Sequence, residues 1–139
     1  MTETTESAVP QAGADGGSVI VVGYSARAEG RAALQRALSE AALRGSSLLV
    51  VHTAPDAELS ELEEQLAAAG IPHQVQAARD SLDPADEVLR AAEATSAEFI
   101  VIGLRRRSPV GKLLLGSNAQ RVLLDAGCPV LAVKAAPEA

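Results

Sequence analysis

The sequence predicts a single α/β domain: a doubly wound, five-stranded parallel sheet with helices on both faces. Short aliphatic runs alternate with helical patterns along the chain in the order β-α-β-α-β-α-β-α-β. The connections between the runs are too long for hairpins, which favours parallel pairing through helical crossovers. Most runs are apolar throughout rather than alternating, as is typical of strands that are buried on both faces.

The first half of the chain contains two such runs, at residues 19–22 and 48–51. Between them, residues 29–44 have apolar side chains at helical spacing, and Gly45 is expected to end this helix as a left-handed cap. A second helical stripe ends at Gly70. The half-polar residues that follow, 71–77, indicate a strand at the edge of the sheet.

The second half begins with Asp83-Pro84, which indicates the start of a third helix. The fourth strand is predicted at residues 99–102, ending at Gly103, and a long loop is expected to follow as far as Gly116. Ser117 with Gln120 three residues later has the spacing of a capping box, which would open the last helix. The fifth strand is predicted from Pro129 to Val133.

Charge and composition exclude several classes of function. The net charge of −6 disfavours phosphate backbones and anionic membranes, so we expect neither a nucleic acid nor a membrane as partner. One cysteine and two histidines are too few for an internal disulfide or a zinc cage, so no metal site is expected. Residues 1–17 lack the basic and apolar regions of a signal peptide. We therefore expect a flexible acidic tail before a domain of residues 18–135, in a cytoplasmic protein.

Two loops of unusual composition follow predicted strand ends, which is where doubly wound sheets bind ligands. These loops are residues 23–27 and 103–116, and the basic run 105–107 lies in the second. Gly116-Ser117-Asn118 opens the last helix, so free N–H groups there are expected to bind a phosphate. The alternative, in which Ser117 only caps its own helix, fits the spacing equally well. Neither a P-loop nor a dinucleotide-binding fingerprint is present.

With these features the sequence resembles the universal stress protein family over about residues 18–134. The resemblance implies the strand order 3-2-1-4-5, a crevice between strands one and four, and a homodimer formed through the fifth strand, residues 129–134. The segments that carry the resemblance are Val19–Tyr24, Val51-His52, Asp83-Pro84, Phe99–Gly103, Leu113–Ser117 and Cys128–Val133.

Part of that family binds ATP or a related adenine nucleotide through glycines spaced G-x2-G-x9-G-[S/T]. Arg106 stands at the inner glycine position, and Ser25 stands where nucleotide-binding members carry an acid after strand one. The resemblance also places Gly23, Tyr24 and Thr53 on the adenosine side. The candidate nucleotide-binding residues are Gly23, Tyr24, Ser25, Thr53, Gly103, Arg106, Gly116, Ser117 and Asn118.

Three functions are compatible with these features. The resemblance favours a regulatory module that binds an adenine nucleotide weakly and signals to a protein partner that the sequence does not name. The alternative is a ligand-independent dimeric interaction protein whose degenerate pocket is empty or filled by Arg106. An enzyme that hydrolyses nucleotide slowly is the least favoured function, because no residue at the predicted site serves as a general base or metal-binding carboxylate. We therefore predict no enzymatic activity.

Overall fold

The computed structural model describes residues 18–78, 83–106 and 113–135. The strands are β1 (Val19–Tyr24), β2 (Ser47–His52), β3 (His73–Ala77), β4 (Phe99–Arg106), β5 (Leu113–Leu114) and β6 (Val130–Lys134). The helices are α1 (Ala28–Arg44), α2 (Leu59–Ala69), α3 (Pro84–Thr95) and α4 (Ser117–Asp125), and a 3-10 turn (Asp56–Glu58) precedes α2. The predicted tail of residues 1–17 lies outside the described residues.

Five parallel strands form one sheet in the order β3-β2-β1-β4-β6. This confirms the predicted α/β class and strand order, with β6 as the fifth parallel strand. β1 pairs with β2 along its whole length, but it pairs with β4 only from Ile20 to Val22. Beyond Val22 the two central strands separate, which opens the crevice that a doubly wound sheet offers a ligand.

The prediction that the fourth strand ends at Gly103 is wrong. Gly103 and Leu104 pair in register with Val133 and Lys134 of β6, so the ladder continues past the glycine to Arg106. β5 then pairs antiparallel with the end of β4. Residues 104–116, predicted as a loop, therefore begin and end in two short paired strand segments. Residues 107–112 lie outside the described residues.

The sheet is covered on both faces because alternate residues of each central strand point to opposite sides. Ile20 and Val22 pack beneath α1 and α2, whereas Val19 and Val21 pack beneath α3 and α4. All four side chains are fully buried. A strand that serves two cores must be apolar at every position, which is why the predicted strands read as unbroken hydrophobic runs.

Helix ends follow the sequence signals in part. Gly45 and Gly70 end α1 and α2 with φ of 69° and 68°, as predicted from glycine's tolerance of the left-handed region. The predicted capping box of α4 is wrong: Gly116 is the N-cap, and no side chain of the described residues caps this helix. Gln120 instead directs its amide to the carbonyl oxygen of Leu115, at 3.4 Å. Ser117 is the first residue of the helix, and its hydroxyl is exposed.

None of the helices in the three described ranges combines the length and the apolar character that crossing a membrane requires.

At the amino ends of the strands, Glu98 gathers a cluster of polar side chains. Its carboxylate accepts hydrogen bonds from Ser18 (2.5 Å), Ser46 (3.1 Å) and Arg44 (2.7 Å). The Arg44 guanidinium also lies 5.0 Å from the centre of the Phe99 ring. Ser18, Ser46 and Glu98 directly precede β1, β2 and β4, so one carboxylate ties the starts of three strands to Arg44 at the end of α1. The hydrogen bonds, that from Ser18 first, lower the pKa of Glu98.

We expect Glu98→Gln to lower the free energy of unfolding by about 1–3 kcal/mol at neutral pH, because charge-assisted hydrogen bonds are lost. Since the pKa of Glu98 is lower in the folded state than its ordinary 4.5, this contribution is present above that pH. It is lost as the pH falls through the folded-state pKa. Urea unfolding at a series of pH values measures the difference, which should shrink in acid. An exposed control, Glu64→Gln, should change stability little at any pH; equal curves for both variants would contradict the role of Glu98.

Candidate functional site

A cleft lies at the carboxyl ends of the strands, where β1 and β4 separate. Its volume is about 380 Å³, and small-molecule sites typically measure roughly 300–1,000 Å³. Its walls are the segment after β1, the ends of β2 and β4, and the first turns of α1, α3 and α4. Helix starts present unpaired N–H groups and the positive end of the helix dipole, so these walls favour an anion.

Eight of the nine candidate residues line this cleft. They are Gly23, Tyr24, Ser25, Thr53, Gly103, Gly116, Ser117 and Asn118. The backbone of the ninth, Arg106, pairs with Leu113 at the end of β4, and its side chain lies outside the described part of the structure. The structure thus brings the two predicted loops together, while the binding of a nucleotide by these residues stays a prediction.

Three of these residues have structural contacts of their own. Tyr24 is 5% exposed and packs in the core beneath α1. The Asn118 side-chain oxygen accepts a hydrogen bond from the Ala85 N–H at 3.4 Å, which links the first turns of α4 and α3. The Ser25 hydroxyl accepts a long hydrogen bond of 3.4 Å from the Arg27 N–H, which shapes the start of α1. The exposed hydroxyls of Thr53 and Ser117 are better placed to contact a ligand.

Two glycines allow α1 to begin directly against its neighbours. A Cβ on Gly103 would overlap the backbone carbonyl of Glu29 in the first turn of α1. A Cβ on Gly30 would overlap the backbone of Ser25. Backbone cannot move aside as a flexible side chain can, so both positions require glycine. These close approaches fix the wall of the cleft that α1 forms.

Three charged residues of the cleft lining were not among the candidate binding residues, although two of them lie in the predicted loops: Arg27, Glu29 and Arg105. Arg105 Nε lies 3.7 Å from Glu29 Oε2. Two arginines and one glutamate give the described lining a net positive charge, although the whole chain carries −6. The spacing of Arg105 could have identified it. Arg105 follows Gly103 by two residues in β4, so both residues face α1.

The remaining reactive side chains lie outside the lining of this cleft. His52 is 5% exposed at the end of β2, and burial lowers its pKa, which keeps the imidazole neutral at neutral pH. Cys128 is half-buried, and burial raises the pKa of its thiol. Within the described residues no group of His, Cys, Asp and Glu side chains is placed to hold a metal ion. The arrangement is suited to binding an anion.

Comparison with known proteins identifies relatives that match most of the chain. The profile of the Universal stress protein family matches residues 55–134. A universal stress protein from Mycolicibacterium smegmatis is 45% identical over 127 residues, which cover 84% of this chain and 97% of that protein. Another from Thermus aquaticus is 34% identical over 138 residues, covering 83% of this chain and 97% of that protein.

Solved structures of similar fold include a universal stress protein from Archaeoglobus fulgidus, with a TM-score of 0.63 and 34% identity. The match covers 86% of this chain and 99% of that chain. A universal stress protein from the same organism in complex with dAMP is 28% identical with a TM-score of 0.57, covering 86% and 98%. A universal stress protein in complex with cAMP has the same fold at 24% identity, with a TM-score of 0.62 and coverage of 86% and 98%.

We expect Gly103→Ala to lower the free energy of unfolding by about 1–3 kcal/mol, the usual cost of forcing an extra methyl group into packed structure. The matched control is Gly23→Ala, because its Cβ would lie 3.6 Å from Val88 and 3.8 Å from Ile102, in ordinary contact. Chemical denaturation of both variants gives the comparison. If the two alanines prove equally well tolerated, the close approach of α1 to β4 does not limit the fold.

Proposed function

The chain belongs to the universal stress protein family, and from that premise we propose that it is a regulatory module whose cleft binds an adenine nucleotide. The observation that carries the proposal is the position of the cleft: it lies where β1 and β4 separate, against the start of α4. The universal stress protein solved with dAMP is 28% identical to this chain and supports the ligand class.

The phosphate is proposed to lie at the first turn of α4. Gly116 has no side chain to block the helix N–H groups, and the Ser117 hydroxyl is not used as a cap. Arg105 lies beside this turn. A helix dipole contributes about 0.3–1 kcal/mol to anion binding, and a hydrogen bond to a charged group about 1.5–3 kcal/mol. The arginine is therefore expected to outweigh the dipole.

The nucleoside is proposed to lie over the ends of β1 and β2. Gly23 leaves the floor of the cleft open, and Val51, Val88 and Ile102 give it apolar walls. The exposed Thr53 hydroxyl borders the same region. An apolar surface with a few polar groups at its rim is the usual setting for a base and its sugar.

A binding role, rather than catalysis, is proposed for this cleft. Glu29 is the one carboxylate in the described lining, and it is ion-paired with Arg105. The described lining holds no histidine and no second carboxylate, so general acid–base catalysis lacks its usual pair of residues there.

Ser25 and Arg106 are proposed to weaken ATP binding, because one removes an acidic partner for the nucleoside and the other replaces a glycine of the family pattern. We expect Ser25→Asp combined with Arg106→Gly to strengthen ATP binding by roughly tenfold or more, the effect of one charge-assisted hydrogen bond. Isothermal titration with ATP measures it, and mass spectrometry of the denatured wild type identifies any nucleotide carried through purification.

A control with the same change in charge is Ser39→Asp combined with Arg90→Gln, since both residues are exposed and lie outside the cleft lining. This control should bind ATP as the wild type does. If the wild type binds ATP tightly and the Ser25/Arg106 variant binds it more weakly, Arg106 assists ATP binding. That result would contradict this part of the proposal.

The module is proposed to act as a homodimer formed through β6. This strand pairs with β4 on one edge and, within the described residues, with no strand on the other. Its Val130, Leu131 and Val133 side chains are only partly buried. An edge strand that lacks internal charge and proline readily pairs with a second copy by two-fold symmetry.

We expect Ala132→Lys to convert the dimer into a monomer, because symmetric pairing would bring two lysines together in the interface. Light scattering after size-exclusion chromatography gives the mass directly. Ala42→Lys, on the exposed face of α1, is the matched control and should remain dimeric. A wild type that is monomeric at tens of micromolar contradicts the proposed dimer.

A further inference from the structure

We infer that Arg105 is the residue that selects phosphate-bearing ligands in the cleft and that Glu29 is its intramolecular competitor. On ligand binding, the phosphate then replaces the Glu29 carboxylate as the anionic partner of Arg105. This inference deepens the proposed function and rests on it, because it concerns the same cleft. It is carried by the contacts of the two side chains.

The contact between Arg105 and Glu29 is loose. The distance of 3.7 Å from Nε to Oε2 is longer than the roughly 2.7–2.9 Å of a charge-assisted hydrogen bond. The two side chains are 32% and 19% exposed, so water reaches both. Ion pairs of this kind contribute little to stability. The Arg105 guanidinium therefore lies at the cleft and can leave Glu29 at little cost in stability.

The Arg105 guanidinium also contacts the start of α4. Arg105 Nη2 lies 3.2 Å from the position that a Cβ on Gly116 would occupy, so it packs against the start of α4. A cation beside the positive end of a helix dipole is unfavourable by itself. An anion placed between them would satisfy both the arginine and the helix N–H groups. Glu29 supplies a negative charge nearby in the free protein, and a phosphate is the ligand that supplies it in the bound state.

The chemistry of the guanidinium points to the phosphate group rather than to the base. Its planar fork donates two parallel hydrogen bonds, a geometry that matches two oxygens of one phosphate. The other side of the cleft is mostly apolar, and Glu29 is the one carboxylate in the described lining that competes for the guanidinium. Arg105 is thus expected to govern phosphate recognition and to leave nucleoside recognition unchanged.

The test is isothermal titration of the full chain with AMP, adenosine and inorganic pyrophosphate. Arg105→Gln should weaken AMP and pyrophosphate binding by roughly tenfold or more, with adenosine unaffected. Arg105→Lys, which keeps the charge but not the fork, should fall between the wild type and Arg105→Gln. Glu29→Gln should strengthen AMP binding, and this gain should shrink when Arg105 is already glutamine, since the competition is then gone.

Matched controls are Arg31→Gln and Glu64→Gln, both exposed and outside the cleft lining; neither should change any of the affinities. If AMP binds and Arg105→Gln does not weaken it, the inference is overturned while the proposed nucleotide function stands. If pyrophosphate binding depends on Arg105 but adenosine does not bind, the inference stands and adenine recognition fails. If neither binds, both are overturned. Thermal melts monitored by circular dichroism confirm that each variant is folded.

Discussion

The close approach of α1 to β4 is the constraint on which the rest of the site depends. Because Gly103 has no side chain, the first turn of α1 lies directly on β4, with the Glu29 carbonyl where a Cβ would be. That contact brings the Glu29 side chain within reach of Arg105, two residues further along the strand. The depth at which α1 packs on β4 and the approach of Glu29 to Arg105 both depend on the missing side chain of Gly103.

The amino ends of the strands carry a cluster of polar contacts, and the carboxyl ends form the cleft. At the amino ends, the carboxylate of Glu98, beside the start of β4, accepts hydrogen bonds from Ser18 and Ser46 at the starts of β1 and β2 and from Arg44 at the end of α1. At the carboxyl ends, β1 and β4 part after Val22, and helix starts replace strand pairing. The Glu98 cluster and the cleft are thus separated by the length of the strands.

The sequence was sufficient for features that depend on local pattern. The buried strands are unbroken apolar runs because they serve two cores, and glycine ends α1 and α2 at the predicted positions. It misplaced the end of β4, because pairing with β6 outweighs the local signal of Gly103. The capping box was wrong because Gly116, not Ser117, is the N-cap of α4, and the Gln120 amide donates to the Leu115 carbonyl oxygen.

The candidate site could be located from sequence because the topology of a doubly wound sheet fixes where its loops meet. The ion pair in the site could not be predicted from sequence. The pairing of Arg105 with Glu29 spans two elements far apart in sequence, and it depends on the depth at which α1 packs on β4. The glycine pattern of the family singled out Arg106, whereas strand alternation makes Arg105 the residue that faces α1.

The continuation of β4 past Gly103 has a mechanical consequence. Leu104, the immediate neighbour of Arg105, is in register with Lys134 of β6, and its carbonyl accepts a hydrogen bond from the Ala135 N–H at 3.4 Å. The backbone beside Arg105 is therefore one rung of the ladder away from β6 at the outer edge of the sheet. If a ligand in the cleft and a partner at that edge favoured different positions of β4, each would change the affinity of the other by the same free energy.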